Sequence, residues 1–318
     1  MKILANDGIA APGKERLEAA GFEVVTEKVA QEALAQAIND QNYVGVLVRS
    51  ATTVRKEVID ACPGLKLIGR GGVGMDNIDV AYARDKGLHV VNTPAASSQS
   101  VAELVMSHLF DIARMLYDAN RHMPQNGNAD FKVLKKKYAK GTELRGKRLG
   151  IIGFGRIGQS LATYALGCGM EVVAYNKHPQ DVTLSWTIPG IGEVKVPMPN
   201  TSMEEVLRTS DFISLHVPAQ EDGSPVLSKN EFDQMKDGVF VVNAARGGVV
   251  DEDALLEALN SGKVAHAALD VFVGEPSPRE DLLAHANISL TPHIGASTVE
   301  AQDRIGTELA DRIIELLK

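Results

Sequence analysis

Two series of short aliphatic runs most narrow the folds open to this chain, because each run is closed by Gly, Pro, Asn or Asp and most are followed by a helical stretch. The first series reads KILA, FEVVTE, YVGVLV, LKLIG and LHVVN, with GKERLEAAG and VRKEVIDAC among the stretches between them. The second reads RLGIIG, EVVAYN, FISLHVP, VFVVNAA, AHAALDVF and ISLTPH. Runs of this length and β-branched content suit strands covered on both faces, and parallel neighbours need a crossover helix between them. The pattern predicts βαβ units on parallel sheets, an α/β fold. At 318 residues the chain can bury two separate cores.

The two series are joined by SVAELVMSHLFDIARML, residues 100–116, a helical stretch that Ser100 opens with Glu103 three residues later, the spacing of a capping box. RHMPQNGNADFKVLKKKYAKGTELRGK follows, a polar segment with a basic run at Lys135–Lys137 that reads as a solvated surface connection. The last stretch, STVEAQDRIGTELADRIIELL, is a second long helix directly after the second series.

Composition excludes several classes of function. Hydrophobic residues make up 44% and charged residues 23%, without an apolar run long enough to cross a bilayer. The N-terminus MKILANDGIA reads as an opening strand rather than a secretory signal, so a cytoplasmic protein is expected, with no membrane partner. A net charge of −8 argues against nucleic acid or anionic lipid as a general partner, and an anionic substrate would need a local basic pocket. Cys62 and Cys168 are far apart and lack metal-ligand spacing to histidine; they read as free thiols, and no metal is expected.

The chemistry concentrates at the ends of the second-series strands. GFGRIG places Gly153, Gly155 and Gly158 in GxGxxG spacing after one strand and at the head of a helix. Gly153 allows a tight turn, Gly155 lets the backbone approach a pyrophosphate, and Gly158 permits close helix–strand packing. The helix N-terminus, with Arg156 and Ile157, offers amide groups to the phosphates. About twenty residues on, where an NAD site usually places an acid for the ribose hydroxyls, stands Asn176. It can hydrogen-bond a hydroxyl as donor and acceptor but does not repel a 2′-phosphate, so the reading is NAD with NADP possible. NAARGGVVDE then puts Arg246 at a strand end, DVFVGEP does the same for Asp270 and Glu275, and TPHIGAST for His293. A guanidinium there suits a carboxylate ligand or a structural acid; the histidine is either a packed strand-end residue or a proton donor. His216 in SLHVP also ends a strand, while His89, His108, His122, His178, His266 and His285 read as structural or surface residues.

In order, GFGRIG, NAARGGVVDE, DVFVGEP and TPHIGAST resemble the D-2-hydroxyacid dehydrogenases, NAD(P)-dependent oxidoreductases, over essentially the whole chain. The resemblance implies two Rossmann-like doubly wound parallel-sheet domains with a cleft between them. Residues 1–98 and 296–318 would form a discontinuous substrate-binding domain, and 99–295 the dinucleotide-binding domain. It implies Arg246, Glu275 and His293 as catalytic, the histidine moving the proton, the glutamate orienting it and the arginine forking onto the substrate carboxylate. Cofactor contacts would come from the GFGRIG loop, Asn176, His216, Val217, Pro218, Ala244, Asp270 and Gly295, with Asp270 on the nicotinamide carboxamide. VRSATTV and GRGGVGMDNID look most like the D-3-phosphoglycerate dehydrogenase branch. There Arg49, Ser50, Val73 and Gly74 would line the substrate pocket, with Arg70 and the Lys135–Lys140 region as candidates for a phosphate. With no segment after the last helix, that reading is of a short form without a C-terminal regulatory domain. The expected assembly is a homodimer, and the expected reaction is oxidation of D-3-phosphoglycerate to 3-phosphohydroxypyruvate. A glyoxylate or hydroxypyruvate reductase is the rival of the same family, and a nucleotide-sensing corepressor-like binding protein the rival of another class.

Overall fold

Strand pairing in the computed structural model, which describes residues 1–318, gives two all-parallel sheets in two compact units. Met1–Ser100 and Ala296–Lys318 form the first unit, and Val101–Gly295 the second. The first contains β1 (Lys2–Ala5), α1 (Ala11–Ala19), β2 (Glu23–Val25), α2 (Leu34–Asp40), β3 (Tyr43–Val48), α3 (Lys56–Ala61), β4 (Leu67–Arg70), α4 (Val80–Asp85) and β5 (His89–Asn92). Its sheet order is β2-β1-β3-β4-β5. The side-chain period of two sorts each strand between two cores. Leu4, Val46, Val48 and Ile68 pack with Leu34, Ile38 and Ile59, while Ile3, Ala5, Leu47 and Leu67 pack with Leu17 and with Leu309, Ala310 and Ile313 of the C-terminal helix.

The chain passes into the second unit through α5 (Ser98–Arg114), followed by α6 (Leu116–Asn126) and α7 (Phe131–Lys137). Helix α5 starts at Ser98, two residues before the Ser100 start that the sequence predicts. The segment expected to be a surface connection is largely helical. Tyr138 donates to Asp118 at 2.8 Å and Lys137 pairs with the same carboxylate at 2.6 Å, which ties α7 to α6.

The second unit continues with β6 (Arg148–Ile152), α8 (Arg156–Gly167), β7 (Glu171–Tyr175), β8 (Val182–Ile188), β9 (Gly192–Met198), α9 (Met203–Thr209), β10 (Phe212–Leu215), α10 (Lys229–Gln234), β11 (Val239–Asn243), α11 (Glu252–Ser261), β12 (Val264–Leu269), α12 (Glu280–Leu283) and β13 (Ile288–Leu290). The main sheet runs β13-β12-β11-β10-β6-β7. Ile152, Ile213, Leu215, Val241, Ala267 and Leu269 fill one face; Ile151, Phe212, Val242 and Ala268 fill the other. The chain closes with α13 (Val299–Leu317), capped by Thr298, whose hydroxyl accepts from the Ala301 amide.

The antiparallel hairpin β8–β9 was not expected. Its strands alternate plainly, with Leu184 and Met198 buried and Thr183, Ser185, Thr187, Glu193 and Lys195 exposed. Pro189 and Pro197, with Gly190 and Gly192 between them, hide the period, and Pro197 is tolerated because a two-stranded sheet has only edges. No helix is long and apolar enough to cross a membrane.

Candidate active site

Strands β6 and β10 are neighbours, yet the chain leaves β6 towards β7 on one side and returns to β10 on the other. The connections that follow these two strands therefore lead in opposite directions, to β7 and to β11, and open α/β sheets bind ligands at such a point. Gly153 sits at that point with a φ of 96°, and a Cβ there would lie 2.5 Å from the His216 carbonyl oxygen. Only glycine fits both the torsion and the space. A Cβ on Gly155 would meet nothing within 4 Å, so the backbone there is open to a ligand. Gly155 is the N-cap of α8 without a side-chain cap, which leaves the first amides of that helix, Arg156, Ile157 and Gly158, without intrahelical acceptors. Turn, space and amides together fit a dinucleotide pyrophosphate.

Asn176 follows β7 and holds the glycine loop. Its Oδ1 accepts from the Phe154 amide at 2.7 Å, inside the glycine loop, and its own amide donates to Asn200 Oδ1 at 2.7 Å. With the oxygen engaged, the side chain offers a ligand its NH₂ donors rather than donor and acceptor equally. The His216 ring turns inward: its Nε2 lies 2.9 Å from Ser214 Oγ and its Nδ1 is buried without a partner. Burial pushes its pKa down to about 3, so the ring is a neutral, inward-facing group.

Three adjacent strands, β11, β12 and β13, deliver Arg246, Glu275 and His293 to the same sheet edge. His293 Nδ1 lies 2.8 Å from Glu275 Oε2, with side chains 41% and 35% exposed. Glu275 Oε1 accepts from the Phe272 amide at 2.9 Å, so one carboxylate both closes its own turn and holds the imidazole. Arg246 leaves β11 through a turn fixed by Asn243, whose Oδ1 accepts from the Ala245 amide and whose Nδ2 donates to the Arg246 carbonyl, each at 3.0 Å. The Arg246 Nη1 donates to the Ala245 carbonyl at 2.6 Å. Gly247 is required there, since a Cβ would lie 2.1 Å from the Phe272 carbonyl oxygen.

Asp270 is 1% exposed and points inward. It accepts from the Thr291 hydroxyl at 2.6 Å and from the amides of Ile294 and Gly295 at 2.8 and 2.9 Å. Each oxygen thus holds part of the His293 turn. Asn243, Asn200 and Thr291 were not foreseen as site supports; a short polar residue at a strand end was their only signal.

In the first unit, Arg49 lines a cavity of about 290 Å³ at the strand ends, together with Asp7, Gly8, Gly71 and Gln302. The Arg49 amide donates to Asp7 Oδ2 at 2.7 Å, and its carbonyl accepts from Asn77 at 2.7 Å. Arg70 Nη1 donates to the Gly71 carbonyl at 3.0 Å, Val73 is exposed and receives Asn92 Nδ2 on its carbonyl at 2.6 Å, and Ser50 is exposed. Lys137 is paired with Asp118, while Lys135 and Lys136 are exposed on α7.

Residues 106–295 match the sequence profile of the D-isomer specific 2-hydroxyacid dehydrogenase, NAD binding domain. The chain belongs to this family. It is 43% identical to a hydroxypyruvate reductase of Thermotoga maritima, over 93% of this chain and 91% of that protein. It is 40% identical to the D-3-phosphoglycerate dehydrogenase of Homo sapiens, over 100% of this chain and 56% of that protein; it thus spans a little over half the length of that relative. A crystal structure of a Thermus thermophilus protein matches with a TM-score of 0.85 at 30% identity, covering 100% of this chain and 97% of the other. This 2-hydroxyacid dehydrogenase is accordingly an oxidoreductase with NAD(H) as its cofactor, and its glycine loop and α8 amides fit that cofactor.

Proposed function

We propose that this dehydrogenase interconverts D-3-phosphoglycerate and 3-phosphohydroxypyruvate, with Arg246, Glu275 and His293 as its reaction centre. The observation that carries the chemistry is the 2.8 Å pair of His293 and Glu275 beside the Arg246 turn. Bound NAD(H) supplies or accepts the hydride at the substrate C2. The protein moves the accompanying proton at the C2 oxygen. With Nδ1–H donated to Glu275, the imidazole keeps one orientation and Nε2 becomes its working nitrogen, giving the proton in reduction and taking it in oxidation. Arg246 forks onto the substrate carboxylate and polarises the reacting carbonyl as charge develops on its oxygen.

The glycine loop, Asn176, and the backbone around His216, Val217, Pro218, Ala244 and Gly295 hold the cofactor in this reading. Arg49, Ser50, Val73 and Gly74 receive the substrate carboxylate, and Arg70 takes the phosphate. The cationic groups at the first unit's strand ends support a phosphorylated substrate, as does 40% identity to phosphoglycerate dehydrogenases across the full chain. The second reading, reduction of unphosphorylated hydroxypyruvate, is favoured by the 43% identity to the Thermotoga enzyme. Comparing kcat/KM for 3-phosphohydroxypyruvate and hydroxypyruvate with NADH decides between them. A phosphate advantage of about tenfold or more, one charge-assisted contact's worth, is expected; equal or better use of hydroxypyruvate would replace the first reading with the second.

A further inference from the structure

A buried polar chain runs behind the His293 turn, entirely within the second unit. His293 has a φ of 54°, a left-handed conformation that a residue with a Cβ keeps only when its surroundings hold it. The hold comes from Asp270, which grips the amides of Ile294 and Gly295 just after the histidine and the hydroxyl of Thr291 just before it. Behind Thr291 stands His108 of α5, 3% exposed, with Nε2 3.1 Å from Thr291 Oγ1. Its Nδ1 lies 3.3 Å from Ser289 Oγ, and Ser289 donates to Asp111 at 2.5 Å. Around His108 on the same helix face, Val105, Leu109 and Ile112 are all buried, so a histidine costs stability there unless its polar atoms are used.

Proton counting fixes the direction of these bonds. Each hydroxyl has one proton and an ionised carboxylate has none. The shortest contacts take those protons, Thr291 to Asp270 at 2.6 Å and Ser289 to Asp111 at 2.5 Å. Thr291 Oγ1 is then left as an acceptor towards His108, so Nε2 must carry a proton. Burial disfavours a second proton on the ring and outweighs the pull of Asp270 and Asp111, so the ring is neutral. The longest contact, 3.3 Å to Ser289, is the one for which no proton remains.

We propose that His108 is a positioning residue for proton transfer: donating from Nε2 to Thr291, it fixes the Asp270 carboxylate that shapes the turn and so aims the His293 ring. The proposal rests on the assignment of His293 as the proton-transferring group. It makes a demand on the unmodified protein that is independent of that assignment, namely that nitrogen-15 NMR of the imidazoles shows His108 as the neutral Nε2–H tautomer. An Nδ1–H tautomer or an imidazolium overturns it.

Kinetics supply the second arm, with whichever keto acid the wild-type enzyme reduces. His108→Leu should lower kcat about tenfold, the scale of one lost hydrogen bond, with the KM for NADH unchanged. His108→Gln, which can still donate to Thr291, should recover most of the loss. In a His293→Ala background the leucine change should have no further effect, because the group it aims is gone. The same tenfold loss in both backgrounds, or no recovery with glutamine, marks His108 as merely structural and overturns the proposal. Should His108→Leu not fold, Thr291→Val takes its place in the same cycle, with the same expected and contrary results. A normal kcat for His293→Ala alone would instead remove the functional reading, a failure distinguishable from that of the tautomer.

Discussion

The strand ends of the two units are held by the same device and present different side chains. In the second unit, Asn243, Glu275 and Asp270 each pin a turn, and what the turns present is a guanidinium and an imidazole paired with a carboxylate. In the first unit, Asp7 accepts from the amides of Arg49 and Thr52, while Asn77 donates to the carbonyls of the same two residues. Its turn is fixed from both sides, and what it presents is backbone, Ser50 and arginine. In the function proposed above, one edge moves the proton and the other holds the anion. Substitutions should therefore separate into losses of rate at the second unit and losses of substrate affinity or selectivity at the first.

The largest expected effect is at His293. Replacing it with Ala should lower kcat by ~10²–10⁴ with little change in NADH affinity, the range for loss of a general acid or base. Near-normal turnover would break the division of labour. The glycine loop sharpens it next. Gly153→Ala places a methyl 2.5 Å from the His216 carbonyl oxygen at a φ of 96°, so it should lower both thermal stability and NADH binding, the former by roughly 1–3 kcal/mol. Gly155→Ala, with open space around it, should leave the melting temperature within a degree or two, as surface changes of about ±0.5 kcal/mol do, and weaken NADH binding alone. Equal stability in the two variants, by calorimetry, would show that the loop is not strained as the contacts require.

The difference between the edges also explains what could be read from the sequence. Strand–helix alternation and the GxGxxG spacing reveal sheets and glycine loop because they depend on local periodicity and on residues with special backbone freedom. The arrival of Arg246, Glu275 and His293 at one edge of the sheet is legible because each follows a recognisable strand. The loop-holding bonds of Asp270 and Asn176 and the buried contacts of His108 are not legible for one reason: a polar side chain looks the same in sequence whether it faces a ligand or turns back to hold a loop. The β8–β9 hairpin is hidden by its prolines and glycines, and α6 and α7 by a composition that would suit a loop equally well. Their cohesion comes from Asp118, which gathers Tyr138 and Lys137 from residues no periodicity links to it.

At the first unit, Arg70→Gln should reduce the preference for 3-phosphohydroxypyruvate over hydroxypyruvate by ~10–100-fold, the loss of a charge-assisted contact of about 1.5–3 kcal/mol. Turnover of hydroxypyruvate and the KM for NADH should stay near wild type. If both keto acids suffer equally, Arg70 holds the first unit's backbone and does not read the phosphate.

The smallest effect expected is at Asn176, and it tests how far the glycine loop itself selects the cofactor. Its Oδ1 is already taken by the Phe154 amide, so Asn176→Asp keeps that bond and changes only the other end of the side chain, from an NH₂ donor to a carboxylate oxygen. That oxygen can accept from a ribose hydroxyl and repels a 2′-phosphate, whereas the native amide donates to either. Lys177 and His178, exposed beside it, supply attraction that water and salt screen. An exposed charge interaction of this kind is worth ~0.2–1 kcal/mol, so the NADH to NADPH ratio of kcat/KM should rise only about 1.5- to 5-fold, mainly through poorer use of NADPH. The native enzyme should still prefer NADH. A much larger rise would mean that this part of the site is shielded from solvent when the cofactor is bound; an unchanged ratio would mean that Asn176 serves the loop alone and that discrimination lies elsewhere.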